Sequence, residues 1–250
     1  MTTSALLYLG LVLACVSGAA TVRPLRPFAP RARAAKLALA GAGLAAVAAL
    51  WPASRQHARG QASLLDRFTP AWEFDERHQA FVAAPPERVF TAVKQVRPGE
   101  IRLFLLLTGL RGLNPWRALG RGVPPVEKQP PLLEISQRGG FIVLGEEPGR
   151  EVVQGTCSQF WRFSGGGSCP DIRTPEQFLA FEQPGYAKAT INFRVEAVPG
   201  GSQLTTQTRI LALDDGARRR FGVYWRIIYP GSALIRRGWL EAIKWRAEAG

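Results

Sequence analysis

The chain has 250 residues, of which 46% are hydrophobic and 20% are charged, a balance typical of a globular protein with a substantial core. Its three cysteines are too few for a disulfide scaffold or a four-thiolate zinc site, and its two histidines exclude a histidine-rich metal site. The net charge is +13, but residues 1–60 hold seven basic residues and no acidic ones. Residues 61–250 hold the other 25 basic residues and all 19 acidic residues, so their net charge is only +6.

Residues 1–55 are predicted to form a membrane anchor. Two uncharged apolar stretches, about residues 5–20 and 37–51, flank a basic segment, 21–36, whose prolines cannot continue a helix. Each stretch falls slightly short of the roughly 20 residues that an untilted transmembrane helix needs. Small residues recur every four positions in both stretches, a pattern that lets helices in lipid approach closely. We therefore expect either a helical hairpin built on Gly10, Ala14, Gly18, Gly41, Ala45 and Ala49 or the second stretch alone as the anchor.

The charge distribution also predicts a location. Basic residues next to membrane segments are retained on the cytoplasmic side, so segment 21–36 places the rest of the chain on the extracytoplasmic side. Arginine makes up 27 of the 32 basic residues, and alanine, glycine and proline are abundant, which suggests a GC-rich bacterial genome. We expect the bacterial cytoplasmic membrane. The alternative is that the first stretch is a cleaved signal peptide, although it lacks the usual basic start.

Residues 56–71 are predicted to be a linker, after which a folded part begins. Apolar and polar residues alternate from Trp72 to Val82, which indicates a strand, and Pro85–Glu87 opens a short helix. Residues 101–113 are strongly apolar and predict a buried or surface-embedded helix. A proline-rich connection at 114–131 follows, and we interpret it as a lid or a partner surface.

The second half predicts several antiparallel strands and one long helix. Arg138-Gly139-Gly140 has the composition of a hairpin turn, and Thr174 is a natural N-cap for a short helix. Apolar residues after Asp214 recur mostly at helical spacing up to the C-terminus, with a kink expected at Pro230. The predicted strands are 132–137, 141–146, 151–163, 186–198 and 203–213, and the predicted short helix is 174–181.

This order predicts an α+β fold, and residues 78–90, HQAFVAAPPERVF, add a resemblance to a known family. They resemble the opening of START-like (SRPBCC, polyketide cyclase/dehydrase-like) proteins, in which a first strand runs into an Ala-Pro-x-Glu-x-Val-aromatic helix start. The resemblance implies a helix-grip domain over residues 72–250, in which a curved antiparallel sheet wraps around a long C-terminal helix. It also implies a cavity for lipids, sterols, polyketides or other apolar ligands, and no fixed catalytic residues.

Several side chains are candidates for the wall of that cavity. His78 shares a strand face with Ala80 and Val82, and Thr206 and Thr208 share one with Leu204, so they can supply polar groups inside an apolar cavity. The alternative for each is an ordinary core or strand residue. The aromatic and aliphatic candidates are Trp161, Phe193, Phe221, Trp225 and Ile228.

No catalytic residue, metal site or cofactor site is predicted. Cys157 and Cys169 flank a glycine-rich loop, and outside the cytoplasm they can form a disulfide; the alternative is two unpaired thiols. The adjacent carboxylates Asp214 and Asp215 are explained by helix capping.

Three functions remain open at this stage. The first is a non-enzymatic binding or transfer module for a hydrophobic small molecule or lipid, held at the membrane, with no nucleic-acid partner because the folded part is only mildly basic and carries no recognition motif. The second is a cyclase, aromatase or hydratase that uses the same cavity, with His78 or Thr208 as acid or hydrogen-bond donor. The third is an envelope scaffold whose cavity is filled by its own side chains.

Overall fold

A computed structural model describes residues 2–22, 31–50, 53–101, 103–106, 124–162 and 171–249. Contacts divide the chain into two compact units, one made of residues 1–53 with 222–227 and the other of residues 54–221 with 228–250. The elements in chain order are α1 (Thr2–Val22), α2 (Arg31–Leu50), β1 (Gln56–His57), α3 (Leu64–Phe68), β2 (Ala71–Trp72), β3 (Phe74–Val82), α4 (Pro86–Gln95), α5 (Leu132–Arg138), β4 (Ile142–Glu147), β5 (Glu151–Ser158), α6 (Pro175–Ala180), β6 (Ala187–Val198), β7 (Gly201–Ala212) and α7 (Asp215–Ala249). Short 3-10 helices lie at Pro98–Glu100 and Val126–Lys128.

Helices α1 and α2 pack against each other through glycines. A Cβ on Gly10 would lie 2.8 Å from the carbonyl oxygen of Gly41 and 2.7 Å from the amide nitrogen of Ala45, so only glycine permits this approach. Within the described residues, no helix is both long and apolar enough to cross a membrane. The predicted transmembrane helices are therefore not supported.

The second unit is built on a five-stranded antiparallel sheet with the strand order β3-β7-β6-β5-β4. The predicted α+β class, the antiparallel sheet and the long C-terminal helix are confirmed. Alternate residues of a strand point to opposite faces, so Phe74, Glu76, His78, Ala80 and Val82 share one face. We call this the inner face.

The inner face carries the main core of the second unit. Phe193, Val195 and Leu204 pack there with α4, α5 and the C-terminal half of α7, and each of these three side chains is at most 2% exposed. Complete burial of a side chain of this size contributes about 1.5–3 kcal/mol. The C-terminal helix thus packs on the sheet, as the START-like resemblance implies.

Helices α3 and α6 cover the outer face of the sheet. Leu65 and Phe68 of α3 and Phe178 of α6 pack against Val153 and Cys157 of β5. Residues 56–71, expected to be a linker, therefore contain α3 and two short strands, and Leu65 is only 1% exposed. The apolar residues of this segment are too few to show a periodicity, which explains why the sequence indicated a linker.

The strand predicted at 132–137 is wrong, because these residues form α5. Pro131 precedes the helix, Glu134 lies in its first turn and Arg138 in its last, an arrangement that suits the helix dipole. Gly139 donates its amide to the carbonyls of the last turn, so Arg138-Gly139-Gly140 ends a helix and is not a hairpin turn.

The other elements lie close to their predicted positions. Thr174 is confirmed as the N-cap of α6, where its hydroxyl accepts a hydrogen bond from the Gln177 amide. Helix α7 is a single helix that includes Pro230, the position at which the sequence predicts a kink. Most of the predicted apolar helix at 101–113 and most of the proline-rich connection at 114–131 lie outside the described residues.

Candidate functional site

The register of β3 and β7 groups four polar side chains on the inner face. His78 pairs with Thr206, and Glu76 pairs with Thr208, so all four residues occupy neighbouring positions of two adjacent strands. Glu76, Thr206 and Thr208 are each at most 7% exposed. The sheet thus buries a polar patch beside the apolar core, with a carboxylate near its centre.

The carboxylate of Glu76 is engaged at both oxygens. Oε1 lies 2.7 Å from Nε2 of His78, and Oε2 accepts a hydrogen bond of 2.6 Å from the hydroxyl of Ser232 in α7. A carboxylate can only accept hydrogen bonds, so Nε2 of His78 is the donor, and in the neutral ring Nδ1 is left as an acceptor. The Glu76 carboxylate thus orients the imidazole of His78, and its hydrogen bond with Ser232 connects Glu76 to the C-terminal helix.

Arg236 lies one helical turn after Ser232 and brings a positive charge to the same region. Its Nη1 is buried and has no hydrogen-bond partner in the described part of the chain. Burial lowers the pKa of Arg236 to about 10, and the negative charge of Glu76 acts in the opposite direction. Among the described residues, no carboxylate lies within ion-pair distance of this guanidinium, whose carbon is 5.3 Å from the centre of the Trp239 ring.

Glu76 also affects Tyr229, which lies near the middle of α7. Burial raises the pKa of the Tyr229 hydroxyl, and the charge of Glu76 raises it further, while Arg237 opposes this effect. Glu76 therefore influences two titratable groups of α7, Tyr229 and Arg236.

Trp239 and Thr208 add two further unpartnered polar atoms. The indole nitrogen of Trp239 and the hydroxyl of Thr208 are buried, and neither has a hydrogen-bond partner among the described residues. The ring of Trp239 is 4.6 Å from that of Phe193, whose partner across the strands is Thr206. A continuous chain of contacts therefore connects Trp239 back to Thr206 and His78.

Thr206 differs from Thr208 in its hydrogen bonding. The Thr206 hydroxyl donates to the carbonyl of Asn192 at 2.7 Å, so it is satisfied within the sheet. A buried polar group left without a partner costs about 1–3 kcal/mol of stability. Thr208, unlike Thr206, leaves its hydroxyl without a hydrogen-bond partner among the described residues.

The remaining predicted candidates lie in different places. Phe193 is part of the core. Phe221 is 1% exposed, and its ring lies 5.0 Å from that of Phe74. Trp161 and Ile228 are half-buried, and Trp225 is buried in the segment assigned to the other unit. The structure therefore brings His78, Phe193, Thr206 and Thr208 together on adjacent strands of one sheet.

The cysteine prediction falls partly outside the described residues. Cys157 is buried on the outer face of β5, and Cys169 lies in the range 163–170, which is not described. The predicted disulfide is therefore left as a prediction. No group of three or more metal-ligating side chains occurs in the part of the chain that the structure describes.

Three participants of this site did not emerge from the sequence, namely Glu76, Ser232 and Arg236. The sequence does not distinguish Arg236 from the other basic residues of the last helix. A signal was present, because Ser232, Arg236 and Trp239 follow one another at four- and three-residue spacing and so lie on one side of a helix. Glu76 precedes His78 by two residues and therefore shares its strand face.

A separate cavity of about 490 Å³ lies beside β4 and β5. Its walls are residues 139–142 and 155–158 together with Phe160, Asp171 and Ile172. None of the predicted cavity residues lines it, although Cys157, a candidate for the predicted disulfide, does. The inner-face patch is the stronger candidate.

No family model matches the sequence, and no curated protein matches it. Similar solved structures include TTHA0849 from Thermus thermophilus, at 13% identity and a TM-score of 0.27, covering 70% of this chain and 98% of that one. CV1439 from Chromobacterium violaceum has 13% identity and a TM-score of 0.23, with coverage of 64% and 96%. Ara h 8.0201 has 12% identity and a TM-score of 0.24, with coverage of 71% and 99%. Similarities this low do not support a functional inference.

Proposed function

We propose that the chain binds a hydrophobic small molecule on the inner face of its sheet, without chemical conversion. The observation that carries this proposal is the polar patch of Glu76, His78, Thr206 and Thr208 on the inner face, next to the apolar core that contains Phe193 and Trp239. Ligand sites are mostly apolar and contain a few placed polar groups that fix the ligand's orientation.

The test is a binding titration of the purified full-length chain with fatty acids, sterols and aromatic polyketide-like compounds. We expect one class to bind at one-to-one stoichiometry and to raise the melting temperature, because a ligand that binds only the folded state stabilises it. The isosteric variant Thr208→Val should fold normally and bind the same class more weakly. If no class binds and none shifts the melting temperature, the proposal is wrong.

A second candidate function is favoured by one observation, the hydrogen bond between Glu76 and His78. A carboxylate that orients an imidazole is a common device for general acid–base catalysis. In that case the chain would be an enzyme of the cyclase, aromatase or hydratase kind, in which His78 transfers a proton to or from the substrate.

The variant His78→Gln separates the two functions. Glutamine can still donate a hydrogen bond to Glu76, but it cannot transfer a proton. We expect His78→Gln to leave ligand binding within about threefold, because glutamine preserves the hydrogen bond to the Glu76 carboxylate. An enzyme would instead lose turnover of an aromatic or polyketide-like substrate by about 10²- to 10⁴-fold.

The cellular location also stays a prediction. We propose, from the basic and apolar pattern of residues 1–60, that the chain is held at the bacterial cytoplasmic membrane with its folded part on the extracytoplasmic side. Fractionation should then recover the chain with membranes after a high-salt wash, and protease added to spheroplasts should digest the folded part. Recovery in the supernatant, or full protection from the protease, would contradict this placement.

A further inference from the structure

We propose that two copies of this chain pair through the open edge of β3 and form one continuous antiparallel sheet. β3 is the first strand in the order β3-β7-β6-β5-β4, so it has a strand neighbour on one side only. The edge of a sheet presents a row of amide and carbonyl groups that can pair with another chain. This inference is independent of the proposed binding function, because it concerns the strand edge and not the inner face.

The even-numbered residues of β3 direct their backbone groups toward β7. The Val82 carbonyl oxygen lies so close to β7 that a Cβ added to Gly201 would clash with it. The Ala80 carbonyl accepts a hydrogen bond of 3.2 Å from Nε2 of Gln203, which is in β7. Consecutive residues of an antiparallel strand direct their backbone groups to opposite sides in the plane of the sheet. The odd-numbered residues of β3 therefore face the open edge.

Two contacts with α7 agree with this direction and close the C-terminal end of the edge. The Phe81 carbonyl accepts a hydrogen bond of 2.9 Å from Nζ of Lys244, and the Ala83 amide donates one of 2.7 Å to the carboxylate of Glu248. The edge residues of β3 that precede this closed end are Asp75, Arg77 and Gln79. Among the described residues, their backbone amides and carbonyls make no hydrogen bond on the side away from β7.

The opposite edge of the sheet, β4, is less suited to pairing. β4 has six residues, its register with β5 shifts between Val143 and Gly145, and it ends in two glutamates. Short length, bulges and charges are the features that protect a sheet edge from pairing. β3 has nine residues, and its register with β7 runs without a shift. β3 is therefore the edge that can accept another strand.

The open residues lie symmetrically about Arg77, which makes a second copy the matching partner. In an antiparallel pair with its two-fold axis at Arg77, Asp75 of each copy lies opposite Gln79 of the other copy. The two Arg77 residues then lie opposite each other. Each of these three residue pairs exchanges two hydrogen bonds, one in each direction. The three open residues of each copy thus find partners for all of their backbone amides and carbonyls, as a self-complementary contact requires.

Neighbouring registers leave backbone groups unpaired. An axis moved one residue toward the C-terminus would place Asp75 opposite Phe81, whose carbonyl already accepts the Lys244 hydrogen bond. An axis moved one residue toward the N-terminus would place Gln79 opposite Glu73, whose amide already donates to the Ile210 carbonyl in β7. The register centred on Arg77 is therefore the one in which all the open groups are paired.

The charges on the outer face are compatible with this register. Asp75 and Arg77 project to the outer face, because Glu76 and His78 project to the inner one. Asp75 of each copy lies diagonally from the second copy's Arg77, a distance that long side chains can span. The two aspartates offset the repulsion between the two facing arginines, so the cluster of four side chains has no net charge.

Sedimentation equilibrium of the full-length chain and of two Gln79 variants tests the proposal. We expect the wild-type chain to form a reversible dimer. Gln79→Pro removes the edge amide from each copy, and proline is tolerated on an edge strand whose amide faces solvent. Because two of the six hydrogen bonds are lost, the dissociation constant of the dimer should rise at least about 10-fold. Gln79→Ala keeps the amide and should change the constant by less than about threefold.

A charge variant keeps the test decisive if Gln79→Pro does not fold. Asp75→Arg leaves the backbone unchanged but places four arginines together, so it should also raise the dissociation constant at least about 10-fold. Glu182→Arg makes the same change of charge at an exposed position outside the strands and should leave the constant unchanged.

Disulfide cross-linking tests the register. The two copies of residue 77 should lie about 5.5 Å apart at Cα, so Arg77→Cys should cross-link to itself under oxidising conditions. The two copies of residue 75 are offset by four residues along the strands, roughly 13 Å, so Asp75→Cys should not cross-link. Both variants are made with Cys15→Ser, because Cys15 is exposed.

Three results would overturn the proposal. The first is a wild-type chain that stays monomeric up to about 0.1 mM. The second is a dimer whose dissociation constant is the same in folded Gln79→Pro, or in Asp75→Arg, as in the wild type, because another surface would then hold it together. The third is equal cross-linking of Arg77→Cys and Asp75→Cys, which would exclude the register centred on Arg77.

Discussion

Replacing Arg209 by methionine should lower the free energy of unfolding by about 3–5 kcal/mol, the range found when one partner of a buried ion pair is removed. Arg209 is 6% exposed and lies 2.8 Å from the carboxylate of Asp66, so the variant leaves Asp66 buried without its counter-charge. The same guanidinium donates to the Thr69 carbonyl at 3.0 Å and stacks 3.8 Å above the Trp72 ring. The pair therefore fixes α3 and β2 to the outer side of the sheet.

Urea unfolding of the wild-type chain and of Arg209→Met measures this difference. Arg77→Met is the matched control, because Arg77 is exposed on β3 and its replacement should change stability by no more than about 0.5 kcal/mol. Equal unfolding midpoints for wild type and Arg209→Met would show that the ion pair makes no net contribution to the free energy of unfolding, and would contradict this prediction.

The effect of Arg209→Met should also depend on pH. Burial by itself raises the pKa of Asp66, but hydrogen bonds from Arg209 and Ser63, the Arg209 charge and the Ala62 amide together hold the pKa below its ordinary value of 3.8. A carboxyl whose folded-state pKa is lowered stabilises the fold above its unfolded pKa and loses this effect as the pH falls through the folded pKa. The stability difference between wild type and variant should therefore shrink below about pH 4; a constant difference from pH 7 to pH 2 would contradict this account.

The second large effect is expected for Trp239→Ala, which should lower the free energy of unfolding by about 3–5 kcal/mol, as is typical when a buried tryptophan is truncated. Trp239 is 6% exposed and packs against Phe193 in the core. Trp245 lies six residues later in the same helix and is 77% exposed, so Trp245→Ala should change stability by no more than about 0.5 kcal/mol. Thermal and urea unfolding of both variants check this contrast. Similar losses in the two variants would mean that α7 does not pack on the inner face through Trp239.

Strand periodicity predicted much of the sheet. The alternation from Trp72 to Val82 gave the position of β3 and its inner face, and the predicted strands 186–198 and 203–213 correspond to β6 and β7. These signals are local, because the side-chain direction in a strand follows directly from residue number. Helix α5 was missed because it spans only Leu132–Arg138, too few residues for helical and strand periodicities to be separated.

The candidate site was only partly accessible to sequence reasoning. His78, Thr206 and Thr208 could be placed on one strand face each, but their proximity depends on the register of β3 with β7. Arg236 lies among several basic residues of α7, and the sequence does not distinguish an inward arginine from its exposed neighbour Arg237. Only the packing of the helix on the sheet brings Ser232 to Glu76 and buries Nη1 of Arg236.

Native mass spectrometry of the purified full-length chain, followed by denaturing extraction and identification of the released compound, tests the central claim most directly. The account predicts a hydrophobic compound that co-purifies at near one-to-one stoichiometry and is bound more weakly by Thr208→Val. A ligand-free mass for the wild-type chain, together with no thermal shift across the panel, would contradict the account and favour a scaffold protein whose own side chains fill the inner face.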